Sequence, residues 1–173
     1  RPGNFAVQNA DVVLAVGNRL PIRVVGYNWQ TWARAAHVIM VDIDPAELKK
    51  HTIHVETPIH ADAKDFFDKV NALLEGQSAP LFAGEEWRET CRAWKKNYPV
   101  VLPRHYEEDG ECANPYAFID TLSRRVPEGT LTVVSNGTCC VAGHQAWVIK
   151  KGSRFFNNNA IASMGYGLPA AIG

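Results

Sequence analysis

The sequence predicts a Rossmann-like parallel α/β fold, and three features carry that prediction. Apolar runs such as "VVLAV" at 12–16 and "VIMVDI" at 38–43 are short enough for strands and continuous enough for burial on both faces, as parallel sheets require. These runs alternate with segments of helical character, the order that places helices between parallel strands. The punctuation between them is also that of strand-to-helix turns: Gly17 after one run, then Asp44-Pro45 after the next.

The elements follow in order. Val12–Val16 reads as a strand stopped at Gly17, and Tyr27–Ala36 as a short helix or crossover. Val38–Ile43 is the second strand, with Asp44 as N-cap, Pro45 at the first helical position and Glu47 in the first turn. A third, weaker strand falls within Ile53–Ile59. The helix Ala61–Leu74 then places Phe66, Val70, Leu73 and Leu74 on one face. From Gly76 to Gly84 the periodicity fails, as in a linker, and Glu85–Asn97 resumes as a helix carrying Trp87, Cys91 and Trp94. A loop leads to Asn114, which caps a helix with Pro115 at its first position and Phe118, Ile119 and Leu122 as its apolar stripe. Thr130–Val134 is a strand ending in Ser135-Asn136-Gly137. Arg154–Phe156 is a further short strand, and Met164–Gly173 begins a helix with small residues at Gly165, Gly167 and Ala170. The expected organisation is a Rossmann-like domain at 1–76, a linker with a helix at 77–112, and a second α/β domain beginning at 113–173.

At 46% hydrophobic and 21% charged, the 173 residues have the composition of a folded globular chain. Lys plus Arg equals Asp plus Glu at 18 each, which leaves no basic surplus for nucleic acid. No apolar run approaches the roughly 18 to 20 residues of a membrane span. The four cysteines, Cys91, Cys112, Cys139 and Cys140, form no CxxC pair and read as free thiols in a reducing cytoplasm.

Open parallel sheets bind ligands beyond the carboxyl ends of their strands. Two stretches satisfy that condition. Gly17, Arg19 and Arg23 lie near strand ends that also supply Asp42 and Asp62, an acid-and-arginine set able to hold ribose and phosphate. There is no GxGxxG, and turn glycine plus N-cap aspartate is the competing reading. In "SNGTCC", a strand runs into Gly137, where Thr138 and Cys139 offer a hydroxyl, a thiol and free N–H groups suited to a diphosphate; a plain strand-to-helix turn is the alternative. His51, His54 and His60 have no ligand partner in register and read as surface or packing residues. Cys139-Cys140 cannot bridge without strain.

Taken together, "NADVVLAVGNRLPIRVVG", "HVIMVDIDPAELKK", "PIHADAKDFFDKV", "VVSNGT" and "SMGYGLPAAIG" resemble the thiamine-diphosphate-dependent enzymes of the acetolactate synthase and pyruvate decarboxylase group. The first three match the central domain and the last two the start of the diphosphate-binding domain. The resemblance implies that Met164 is the apolar wedge holding the cofactor bent, and that the Ala162 carbonyl and Met164 N–H meet its aminopyrimidine. It places Gly137, Thr138 and Cys139 at the diphosphate, with Gly-Thr-Cys where acetolactate synthases commonly carry Gly-Gln-His. In FAD-containing members the groups matching Gly17, Arg19, Arg23, Asp42, Ile43 and Asp62 bind the nucleotide, so FAD is a further candidate ligand, although Pro21-Ile22 replaces the usual acidic pair. Thiamine diphosphate and Mg2+ are the implied cofactors. The activating glutamate and the metal-binding motif belong to family segments outside these residues, so no catalytic or metal-binding residue is expected in this chain. The resemblance further implies the middle of a longer cytoplasmic enzyme, inactive as this piece alone. That enzyme would act on a 2-keto acid or similar donor as a homodimer or homotetramer with each active site across the subunit interface. A nucleotide-binding module of FAD or NAD type, or a domain that kept the fold without catalysis, are the alternatives.

Overall fold

The computed structural model describes residues 1–77, 84–107 and 112–173. Part of the expected linker, 78–83 and 108–111, lies outside them. The chain divides into two compact units, Arg1–Tyr98 and Pro99–Gly173.

The first unit is built on a three-stranded parallel sheet in the order β1-β2-β3, with β1 at Val12–Val16, β2 at His37–Asp42 and β3 at Thr57–His60. Val12 pairs with His37 and Val16 with Val41, while Ile39 pairs with Thr57 and Asp42 with His60. The central strand holds the core: Met40 and Val41 are fully buried. Around Met40 pack Ala15, Leu20 and Val25, backed by Trp29 and Trp32. A second cluster joins Val38 to Ala33 and Ala36.

Sequence pattern and structure differ in three places here. The run at 12–16 is apolar throughout, yet β1 buries only one face, leaving Val12 and Leu14 more than half exposed. It is an edge strand, and among the described residues nothing within the unit covers its outer face. The Asp44 turn forms as expected, Asp44 Oδ1 accepting from the Ala46 N–H at 2.8 Å, but only a short 3-10 helix, Glu47–Lys49, follows. The third strand is shorter than its apolar stretch, because 53–56 is taken up by irregular chain. There the Glu56 carboxylate accepts the Val38 N–H at 2.7 Å, one residue before the start of β3.

Among the described residues this unit has four α-helices, two of which the sequence pattern marks. α3, Ala63–Leu74, starts where Asp62 caps it, its carboxylate accepting the Lys64 N–H at 2.7 Å. Phe66 and Val70 are half-buried, whereas Leu73 and Leu74 are exposed. α4, Glu85–Asn97, has the expected bounds and stacks Trp87 edge-on against Trp94 at 5.6 Å. α1, Pro2–Gln8, was not foreseen; its Phe5 meets Trp94 and Tyr98 edge-on at 5.8 and 5.2 Å. A short α2, Ile22–Val25, follows β1.

The second unit pairs β4, Leu131–Val133, in parallel with β5, Arg154–Phe156. α5, Pro115–Arg125, is capped by Asn114 Oδ1, which accepts the Tyr116 N–H at 3.0 Å. α6, Thr138–Ala146, packs on it through Ile119, Ala142 and Ala146. α7, Gly167–Ile172, begins three residues later than Met164. Tyr106 Oη and Arg124 Nε both donate to Asp120 Oδ2, at 2.7 and 2.8 Å, tying a 3-10 turn at Pro103–Tyr106 to α5. The Arg124 hydrogen bond holds the Asp120 carboxyl below the usual aspartate range, with the Tyr106 hydroxyl lowering it further.

Candidate functional site

Two sites were expected, one in each unit. In the first unit a cavity of about 340 Å³ opens at the carboxyl ends of the parallel strands. Its walls include Gly17, Arg19, Asp42, Ile43 and Asp62, five of the six residues singled out for a nucleotide. Such a volume sits at the small end of the roughly 300–1,000 Å³ of ligand pockets. Asp42 is buried, with one carboxylate oxygen accepting the Asp44 N–H at 2.9 Å. Asp62 serves as helix cap at the same time. The loop carrying Arg19 is held in an unusual shape: Leu20 adopts φ +44°, with its N–H bound to Asn18 Oδ1 at 2.9 Å. The Lys50 ammonium secures this loop by donating to the Arg19 carbonyl and by pairing with Glu47 at 3.0 Å. Lys50 gave no signal in sequence, because its partner is a main-chain carbonyl 31 residues away.

Arg23 is not part of this crevice. It sits on α2 and lines a separate cavity of about 420 Å³ with Val7 and Trp32. Of the three histidines, His60 Nε2 lies 2.9 Å from the Ile43 carbonyl, and His54 lies 3.6 Å from Glu56. Among the described residues no group of three His, Cys, Asp or Glu side chains could hold a metal ion.

In the second unit the chain leaves β4 through Ser135 and Asn136 and turns at Gly137, with φ +83° and ψ −148°. That region of backbone space belongs almost wholly to glycine. The turn delivers Thr138 and Cys139 into the first turn of α6, whose leading N–H groups have no intrahelical acceptor and sit at the positive end of the helix dipole. An anion is the natural guest for such an end. The exposed Cys139 thiol donates to the Ser135 and Asn136 carbonyls at 3.0 and 3.2 Å, drawing the turn tight.

Ala162 and Met164 lie on a second loop. Ala162 is left-handed at φ +59°, its N–H bound to the Asn158 carbonyl at 2.8 Å, and Met164 is 95% exposed. Two hydrogen bonds join this loop to the first: Asn136 Nδ2 donates to the Ser163 carbonyl at 2.7 Å, and the Gly167 N–H donates to Ser135 Oγ at 3.0 Å. The approach is close enough that a Cβ on residue 167 would stand 2.4 Å from Ser135 Oγ. All five residues expected at the diphosphate and aminopyrimidine therefore fall on two mutually bonded loops. The contacts of Ser135, Asn136 and Ser163 are what the sequence did not expose, since polar residues beside a turn carry no spacing signature. A helix N-terminus for an anion, next to an exposed thioether with open main-chain groups, is a donor set that fits thiamine diphosphate.

Comparison with known proteins identifies the family. Residues 1–70 match the central domain of the thiamine pyrophosphate enzymes, named for the same cofactor. The acetolactate synthase large subunit of Corynebacterium glutamicum is 31% identical over 174 residues, which is 97% of this chain and 26% of that protein. The acetolactate synthase isozyme 3 large subunit of Escherichia coli (strain K12) is 32% identical over 98% of this chain and 29% of its own length. The large subunit from Pyropia yezoensis is 32% identical, again over 98% of this chain and 28% of its own length. The chain thus spans under a third of the relatives it matches. With a central-domain match at its start and similarity running to both ends, the chain belongs to the thiamine-diphosphate-dependent, acetolactate synthase-like family.

Proposed function

We propose that this chain is the middle of a longer thiamine-diphosphate-dependent enzyme and supplies part of its cofactor site. The observation that carries the reading is the pairing of the Gly137–Cys139 turn with the Ala162–Met164 loop through the Asn136–Ser163 and Ser135–Gly167 hydrogen bonds. When bound, the cofactor provides a carbon nucleophile that adds to the carbonyl of a 2-keto acid or similar donor, allowing a neighbouring carbon–carbon bond to be cleaved or formed. The residues of this chain bind and orient. The N–H groups of Thr138 and Cys139 take the diphosphate oxygens, and Gly137 gives the backbone room to approach. The Met164 side chain, unbranched and polarizable, supports the bend between the two rings. Its N–H and the Ala162 carbonyl fix the aminopyrimidine. No side chain here moves a proton, so this piece alone has no activity.

On this reading the glutamate that activates the cofactor and the Mg2+ ligands belong to other parts of the intact protein. The reaction class is that of a lyase or transferase. Assembly as a homodimer or homotetramer completes each site and covers Ile161, Met164, Leu168 and Ile172, all more than 70% exposed here. A cytoplasmic location fits the four free cysteines, and among the described residues no helix is long and apolar enough to cross a membrane.

The crevice of the first unit favours a second ligand, the nucleotide part of FAD. Five of the six expected residues meet there, while Arg23 is directed to another cavity and leaves Arg19 as the cation at hand. Flavin absorbance in the purified intact protein tests this point.

The principal test is titration calorimetry of the intact protein with thiamine diphosphate and magnesium. Saturable binding at one equivalent per subunit is expected; a folded protein that takes up no cofactor overturns the reading.

A further inference from the structure

The two loops of the candidate site are separated by more than twenty residues of sequence, yet their relative placement decides whether one ligand can touch both. One loop offers the α6 N-terminus and the other offers Met164 and the Ala162 carbonyl. Nothing in their local conformation fixes the distance between them: Gly137 and Ala162 each shape their own turn. What spans the gap is a pair of side chains. Asn136 reaches the Ser163 carbonyl at 2.7 Å, immediately before Met164, and Ser135 Oγ receives the Gly167 N–H at 3.0 Å, at the start of α7. The two bonds bracket Met164 on either side.

The Ser135–Asn136 pair is itself held. Cys139 Sγ donates back to both of their carbonyls, so the residues that reach across are braced by the first turn of α6. On the far side, Asn158 Nδ2 lies 3.3 Å from Ser163 Oγ and steadies the acceptor residue. The crossing point has no slack, because the Gly167 Cα lies so near Ser135 that even a methyl group would collide with its hydroxyl and main-chain N–H.

We propose that Ser135 and Asn136 are positioning residues: they latch the Met164 loop to the diphosphate turn, so that the ring half and the diphosphate half of one ligand meet a single preset geometry. The proposal rests on the cofactor reading above. It adds that the two halves are coupled through these side chains, which touch neither half themselves. A ligand that engages one half alone gains nothing from the latch.

The experiment compares two probes, thiamine diphosphate and inorganic diphosphate, each with magnesium, on the intact protein and its Asn136→Ala and Ser135→Ala variants. Losing one such hydrogen bond should weaken thiamine diphosphate binding about threefold to tenfold, while inorganic diphosphate binds as before. A general disturbance of folding would weaken both probes alike, and that result, or unchanged thiamine diphosphate affinity in both alanine variants, overturns the latch while leaving the cofactor site standing. If the unaltered protein binds neither probe, the site reading itself fails and the latch falls with it.

Discussion

Gly137 and Gly167 set the geometry of the candidate site for different reasons. At Gly137 there is open space around a would-be Cβ, but φ is +83°. Gly137→Ala should therefore cost about 1–3 kcal/mol through backbone strain alone, read as a lowered denaturation midpoint together with weaker cofactor binding. At Gly167 the backbone is ordinary and the space is missing. Gly167→Ala must push Ser135 aside, and overpacking of this kind costs about 1–3 kcal/mol. Met164 is the opposite case, a large apolar side chain with almost no cover. Met164→Ala in the intact protein should lower turnover; unchanged turnover counts against the wedge role. Cys139 offers a chemical probe of the same place, being exposed in the first turn of α6. Thiamine diphosphate should slow its alkylation, followed by mass spectrometry at that residue, while the exposed Cys112 reacts at an unchanged rate.

At the scale of elements, the sequence revealed most where one residue decides a boundary. Asp62, Asn114-Pro115 and Gly137 mark helix starts that the structure realises. α1 carried a comparable mark in Pro2 at its first turn, but it is short and its anchor is Phe5 against α4, a contact between residues almost ninety positions apart. β1 misled in a different way, since hydrophobicity reports what a strand can bury and not what lies beside it. The turns of the candidate site were legible in glycines such as Gly137, whose type is fixed by backbone shape, whereas Met164 was marked by the family resemblance alone. The Asn136 and Ser135 contacts were not, because a polar side chain bonding a distant main-chain group leaves no period or spacing in the sequence.

The Asp120 cluster makes a prediction at this same scale. Its carboxyl titrates below its unfolded value of about 3.9, so the stability it contributes is fully present above that pH and is lost as the pH falls through the folded value. Asp120→Asn should flatten that acidic limb of the stability profile, measured as urea midpoints across the range. An unaltered limb would show that the Tyr106–Asp120–Arg124 contacts contribute nothing.

For the whole molecule, the exposed apolar residues are the telling feature. Val12 and Leu14 on β1, and Leu168 and Ile172 on α7, are all more than half exposed. Surfaces of this kind mark interfaces. The relatives are more than three times longer than this chain, which leaves ample sequence for the covering parts. Leu168→Glu should shift the intact protein towards smaller assemblies in sedimentation velocity and reduce cofactor affinity with it; an unshifted assembly removes α7 from the proposed interface.

The central claim is that the Gly137–Cys139 turn and the Ala162–Met164 loop grip one molecule of thiamine diphosphate. The most direct measurement is a crystal structure of the intact protein grown with thiamine diphosphate and magnesium. Diphosphate oxygens are expected on the N–H groups at the start of α6, Met164 beneath the bent cofactor, and the aminopyrimidine on the Met164 N–H and Ala162 carbonyl. Cofactor bound elsewhere, or bound with Met164 still bare to solvent, would contradict it.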